Sequence, residues 1–175
     1  MYISKAVMLL GILGLAACTN PDRYGAGGAD GTGGGYGQGG GIGTDGLGSA
    51  SDPNSPAYFN QTIGNTVLFL IDQHTLSPQA QDILTRQAQW LSERPTYMAL
   101  IEGHADEQGT RIYNINLGER RANSVREFLI SRGIAPSRIQ TISYGKERPL
   151  AVCSSESCYA QNRRAVTVIT AGLGA

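Results

Sequence analysis

Residues 102–125 read EGHADEQGTRIYNINLGERRANSV. The apolar run before them, Tyr97 to Glu102, reads as a strand that stops at Gly103. From Leu117 onward the spacing becomes helical. At about 100° per residue, Leu117, Ala122, Val125, Phe128 and Leu129 fill one arc of about 140°, and Glu119, Arg120, Asn123, Arg126 and Glu127 fill the opposite side. Arg121 falls inside the apolar arc, between Phe128 and Val125. A guanidinium cannot shed its charge, so a partly buried one needs a carboxylate or a bound anion close by. Strand, polar loop and helix thus make a βα unit that carries its own demand for a countercharge.

Working outward, Thr66 to Ile71 (TVLFLI) is β-branched and aromatic, the composition of a buried strand. Ser77-Pro78 places an N-cap before proline at the first helical position. Ala80, Ile83, Leu84, Ala88 and Leu91 then recur at helical spacing until Pro95 stops the helix. Arg132-Gly133 closes the second helix as a C-cap. Arg138 to Tyr144 is a third strand and Ala165 to Thr170 a fourth. The expected fold is an α/β (α+β) sandwich, one four-stranded sheet with two main helices packed on it.

The N-terminal third has a different composition. Residues 1–17 read as an export signal, with Lys5 ahead of the apolar run Ala6 to Ala16 and LAAC at Leu15 to Cys18. Small residues before a cysteine fit a peptidase groove and leave a thiol for fatty-acyl chains such as palmitate, the pattern of a bacterial lipobox. The plainer alternative is an ordinary secretory signal that happens to precede a cysteine. Each buried methylene of an acyl chain adds about 0.8 kcal/mol of membrane affinity. Fourteen of the 24 glycines lie between Gly25 and Gly48, so residues 18–57 are expected to be the lipidated cysteine and a flexible tether, and 58–175 the folded domain. A flexible chain of that length has a root-mean-square span of about 35 Å. In an exported chain, Cys153 and Cys158 of CSSESC are expected to form a disulfide that braces a loop.

The loop between the second strand and second helix gathers His104, Asp106, Glu107 and Asn114 around Gly109. It lies at the carboxyl end of a strand, where α/β sheets commonly place ligands. If the loop folds back, Asp106 faces Arg121. Two readings then stand side by side: a salt bridge that stabilises the loop, or a carboxylate–guanidinium pair that matches a zwitterion.

Other chemistry is disfavoured. Net charge is zero and no basic stripe interleaves with aromatics, so nucleic acid is not an expected partner. His104 with Asp106 and Glu107 does not aim at one ion, and two thiolates without a neighbouring histidine make a poor zinc site, so no metal is expected. The serine-rich SSES has no histidine close in sequence to act as base, and the glycine tract lacks the lysine of a phosphate cradle. Neither a cofactor nor a catalytic residue is expected.

From about Val67 to Val168 the chain resembles the C-terminal peptidoglycan-binding domain of OmpA-type proteins, in particular the peptidoglycan-associated lipoproteins of the Tol–Pal system. The segments that carry the likeness are EGHADEQGT, YNINLGERRANSV, ISYGKERP and QNRRAV, together with the lipobox. The resemblance implies an OmpA-like mixed sheet and noncovalent binding of the peptidoglycan stem at its diaminopimelate residue. Asp106 and Arg121 would hold the ligand's amino and carboxylate groups, with Asn114 and Leu117 shaping the pocket and His104 beside it. Ile71 and Asp72, also implied to be ligand-binding residues, end the first strand; it reads FLID where the family usually has a sequence like FDFD, so Leu70 replaces one acid. Asn162-Arg163-Arg164 matches the family's terminal motif, which either contacts ligand or neutralises the sheet end.

Thr19 after the cysteine, rather than aspartate, implies sorting to the outer membrane, with the domain facing the periplasm. Implied partners are peptidoglycan, TolB and other Tol proteins, in cell-envelope integrity and cell division. The alternatives are the same module in another envelope or secretion assembly and, remotely, a peptidoglycan hydrolase.

Overall fold

A computed structural model describes residues 47–171. The export signal, Cys18 and the tether up to residue 46 lie outside the described residues. Short α1 (Pro56–Tyr58) runs into a π-helical turn over Phe59–Gly64, followed by β1 (Thr66–Leu68), α2 (Pro78–Glu93), β2 (Tyr97–His104) and α3 (Arg111–Ser131). A 3-10 turn at Pro136–Arg138 leads to β3 (Ile139–Gly145), α4 (Glu156–Asn162) and β4 (Arg164–Ala171). The strands form one mixed sheet in the order β1-β4-β2-β3. β4 is antiparallel to β1 and β2, with Val67 opposite Ala165 and Ile101 opposite Thr167. β2 and β3 are parallel, with Ile101 opposite Thr141. The expected sheet and two main helices are all present.

Local signals account for the helix ends. Ser77 Oγ accepts from Ala80 N at 3.2 Å, and Thr110 Oγ1 accepts from Tyr113 N at 3.2 Å, each satisfying an orphan donor of the first turn. α3 closes in a Schellman arrangement: Gly133, at φ 94°, donates to Ile130 O, and Ile134 donates to Leu129 O. α3 lies across β2 and β3 and also meets α2. Its approach to the sheet is so close that a Cβ at Gly103 would sit 1.9 Å from the Gly118 carbonyl oxygen, and one at Gly118 would sit 2.4 Å from Ser143 Oγ. Phe59, Val67, Leu84, Leu91, Ile101, Val125 and Leu129 form the centre of the core between helices and sheet.

Three expectations change. The folded body starts before Tyr58. Ala57 N donates to Leu47 O, the Trp90 indole donates to Pro53 O at 2.8 Å, and the Tyr97 hydroxyl donates to Asn54 O at 3.0 Å. Backbone acceptors need no apolar composition, which is why residues 47–57 read as tether. The first strand is shorter than Thr66–Ile71. It is an edge strand whose ladder ends when Phe69 N donates to Arg163 O, and Leu70 and Ile71 emerge exposed on a turn. Finally, α4 begins inside the cysteine loop, where seven residues offer too little periodicity to be read as a helix. The Cys153–Cys158 disulfide is formed, with its Cα atoms 5.8 Å apart.

Candidate ligand cleft

The turn after β1 and the loop after β2 stand side by side above the start of α3. Between them lies a cleft of about 310 Å³, lined by Ile71, Asp72, Asp106, Gln108, Gly109, Tyr113, Asn114 and Leu117. Five sequence-predicted residues are therefore brought together: Ile71, Asp72, Asp106, Asn114 and Leu117. Ile71 is exposed at the rim, while Asn114 and Leu117 are buried at the base. Asn114 Nδ2 donates to Gln108 O at 2.7 Å and so pins the loop to the helix. Lys146 Nζ pins it from the other side, donating to Gly109 O at 2.8 Å and Glu107 O at 3.2 Å.

Arg121 is where helical periodicity put it, fully buried at 0% exposure, but its partners are not those expected. Nε donates to Gln73 O at 2.8 Å, Nη1 to His104 O at 2.8 Å and Nη2 to Leu70 O at 3.1 Å. Its guanidinium carbon also lies 5.4 Å from the centre of the Phe69 ring. Three backbone carbonyls, two from the turn after β1 and one from the end of β2, satisfy its donors, so a direct carboxylate ion pair is not required. Burial nevertheless pulls the guanidinium pKa down to about 10, with Asp106 the leading opposing influence and Asp72 adding to it. Arg121 therefore does not line the cleft but lies beneath it. Because Leu70 and Gln73 flank Ile71 and Asp72, Arg121 clamps the very turn that presents them. Asp72 itself is left-handed, at φ 58°, and accepts from the Tyr113 hydroxyl.

The salt bridge drawn between Asp106 and Arg121 is thus absent. Asp106 Oδ2 instead accepts from Arg163 Nη1 at 3.1 Å, and Oδ1 accepts from Gln108 N at 3.3 Å. Arg163 is 4% exposed and also donates to Phe69 O at 3.4 Å and to the Glu156 carboxylate. Burial alone would lower its pKa, but the hydrogen bonds to Glu156 and Asp106 raise it instead. Within the Asn162-Arg163-Arg164 motif, Arg163 thus meets acid at the sheet end. Asn162 accepts from Leu150 N and Ala151 N, at 2.8 and 3.0 Å, and Arg164 donates to Arg148 O.

His104 is also displaced from the expected site. Its carbonyl serves Arg121, but its ring does not line the cleft; it tilts against Tyr144 with centroids 5.5 Å apart. Both ring nitrogens are buried without a hydrogen-bond partner, and the Glu102 carboxylate is 3.8 Å away. Burial first, then Arg164 and Arg148, lowers its pKa from 6.5 to about 4, so the ring is neutral at physiological pH. Among the described residues no group of three or more His, Cys, Asp or Glu is placed to hold a metal.

Residues 68–163 match the OmpA family. The chain is a member of that family. Its relatives include the peptidoglycan-associated lipoprotein of Brucella melitensis, 51% identical over 125 residues that cover 71% of this chain and 74% of the relative. The peptidoglycan-associated lipoprotein of Agrobacterium fabrum is 53% identical over 124 residues, covering 71% and 70%. The crystal structure of the peptidoglycan-associated lipoprotein from Burkholderia pseudomallei superposes with a TM-score of 0.62 at 38% identity, covering 69% of this chain and 98% of that one. These relatives are named for association with peptidoglycan and not for a reaction.

Within this family frame, two cleft residues, Gln108 and Tyr113, escaped the sequence reading as site candidates. Tyr113 lies one residue from Asn114 and four before Leu117, next to the buried face of α3, a position that helical spacing alone could have marked. Arg163 was marked only as part of the Asn162-Arg163-Arg164 motif, and its partner was not: it lies 57 residues from Asp106 in sequence, and the β4–β2 pairing brings the two together.

Proposed function

We propose that this chain is a lipid-anchored outer-membrane protein whose periplasmic domain grips the peptide stem of peptidoglycan noncovalently in this cleft. The carrying observation is the pair of carboxylates, Asp72 and Asp106, on opposite lips of a cleft with the buried Arg121 charge beneath it. A stem-peptide residue such as diaminopimelate offers an ammonium beside a carboxylate. Asp106 and Asp72 would accept from the ammonium, and Arg121 would favour the carboxylate from below. Of its five N–H donors, Arg121 uses three on carbonyls among the described residues, one on each nitrogen. One donor each on Nη1 and Nη2 is left for a carboxylate that reaches the floor.

Family membership and the names of the relatives support peptidoglycan as the ligand. The lipobox at Cys18 and the glycine-rich tether support a role in tying the outer membrane to the wall, within the Tol system and with TolB as a partner. The test is co-sedimentation of the purified protein with isolated sacculi. Wild type should pellet, and Asp106→Ala should remain in the supernatant while still showing a cooperative urea transition, at a midpoint lowered by loss of the Arg163 contact. A folded Asp106→Ala protein that pellets like wild type would overturn the site assignment.

A further inference from the structure

One route connects the disulfide loop to the cleft. Glu156 lies inside the ring closed by Cys153–Cys158 and opens α4. Its carboxylate, 61% exposed, meets Arg163, and Arg163 in turn meets Asp106, whose side chain is 13% exposed on the cleft wall. Arg163 is the sole side chain that Glu156 engages among the described residues. Among the described residues nothing else fixes the carboxylate, so its position depends on the closed ring. The charges matter here. An arginine paired with one carboxylate gives a neutral pair, whereas one divided between two leaves a net charge of −1 beside the cleft.

We propose that the 153–158 loop acts on the ligand cleft through Arg163, a positioning residue for Asp106. With Glu156 held on it, Arg163 is divided between two carboxylates, and Asp106 keeps charge available for a cationic ligand group. This rests on the reading of the cleft as an ammonium site. Cys153 is exposed, so a dithiol can reach the bridge. Reduction breaks the Sγ–Sγ bond; two electrons and two protons pass from the dithiol, which closes into its own disulfide, and two thiols remain. The opened loop regains chain freedom, Glu156 leaves Arg163, and both terminal nitrogens of Arg163 turn to Asp106 as a bidentate fork. The ligand's ammonium then competes with a fully engaged guanidinium.

The experiment compares the full chain oxidised, reduced with dithiothreitol, and as Glu156→Gln and Cys153→Ser/Cys158→Ser variants. Affinity is read by sedimentation with sacculi. Because Glu156 is solvent-exposed, each change alone should weaken binding about two- to fivefold. Reduction of Glu156→Gln should add nothing, since the route is already cut. Unchanged wild-type affinity on reduction, or a further loss in reduced Glu156→Gln, overturns the proposal. A ligand-free readout keeps it separate from the binding reading: the Arg163 Nε–Hε NMR resonance should shift on reduction of wild type and stay still in Glu156→Gln. If oxidised wild type fails to pellet, the binding reading falls, and an Arg163 resonance indifferent to reduction overturns the loop coupling by itself.

Discussion

Replacing Arg121 with alanine removes donors from three carbonyls at once, and the three losses are unequal. His104 O lies in a fully buried hydrogen bond, so nothing replaces the lost donor. Leaving it unsatisfied costs about 1–3 kcal/mol. Leu70 O and Gln73 O belong to a turn whose side chains are exposed, so water can reach them. Each then costs nearer the net value of one hydrogen bond, about 1 kcal/mol. Together the loss should be about 3–5 kcal/mol, a large part of the 5–15 kcal/mol that is ordinary for a domain. Arg121→Lys should recover little. One ammonium on a flexible stem cannot serve three carbonyls set around a planar fork. Urea unfolding followed by the fluorescence of Trp90, the single tryptophan and 3% exposed, gives the measurement. A loss below about 1 kcal/mol with an unchanged denaturant slope would refute the clamp. The sequence alone suggests that Asp106→Ala and Arg121→Ala are equivalent probes of binding. The structure separates them: Arg121→Ala disturbs the turn that carries Asp72, whereas Asp106→Ala removes a cleft-wall carboxylate and leaves Arg163 paired with Glu156.

Acid should weaken the fold through His104. Its folded pKa of about 4 lies below the ordinary 6.5, so the stability is complete above 6.5 and is lost as pH falls toward 4. About 2 kcal/mol should disappear between pH 7 and 5, and urea midpoints of His104→Phe should lack that loss; an equal slope in the variant would clear His104. Gly118→Ala should cost about 3 kcal/mol or more by forcing α3 off the sheet, seen as a lowered thermal midpoint, and a near-neutral effect would show that the contact can relax. Asn162→Ala strips a side chain bonded to Leu150 N, Ala151 N and Ala151 O at 0% exposure. It should cost about 2–3 kcal/mol, with faster amide exchange at residues 150 and 151; unchanged exchange there would contradict its role.

Much of the architecture was legible because it rests on local rules. Ser77-Pro78, Pro95 and Gly133 mark helix ends through capping chemistry, which needs only neighbouring residues. The apolar arc of α3 foretold that Leu117, Arg121, Val125 and Leu129 would be buried. The cleft was legible in its composition but not in its wiring. Asp106 and Arg121 are near one another, yet each is satisfied by a group that the sequence does not put beside it. Arg163 reaches Asp106 across the sheet, and the carbonyls that hold Arg121 carry no residue-specific signature at all. The ring of His104 lies away from the cleft for a related reason: a residue at the end of a strand can present its carbonyl to one neighbour and its side chain to the opposite side.

The sequence by itself determined the four strands and two main helices, the disulfide pairing and the demand for a countercharge at Arg121. Periodicity, caps and permanent charge are properties of short stretches of chain. The tertiary structure decided how that demand is met, since backbone carbonyls from the turn after β1 and the end of β2 converge there only after the two strands take their places in one sheet. It also decided that Arg163, and not Arg121, is the partner of Asp106. Countercharge in a folded protein is chosen by distance in space, and distance along the chain does not encode it.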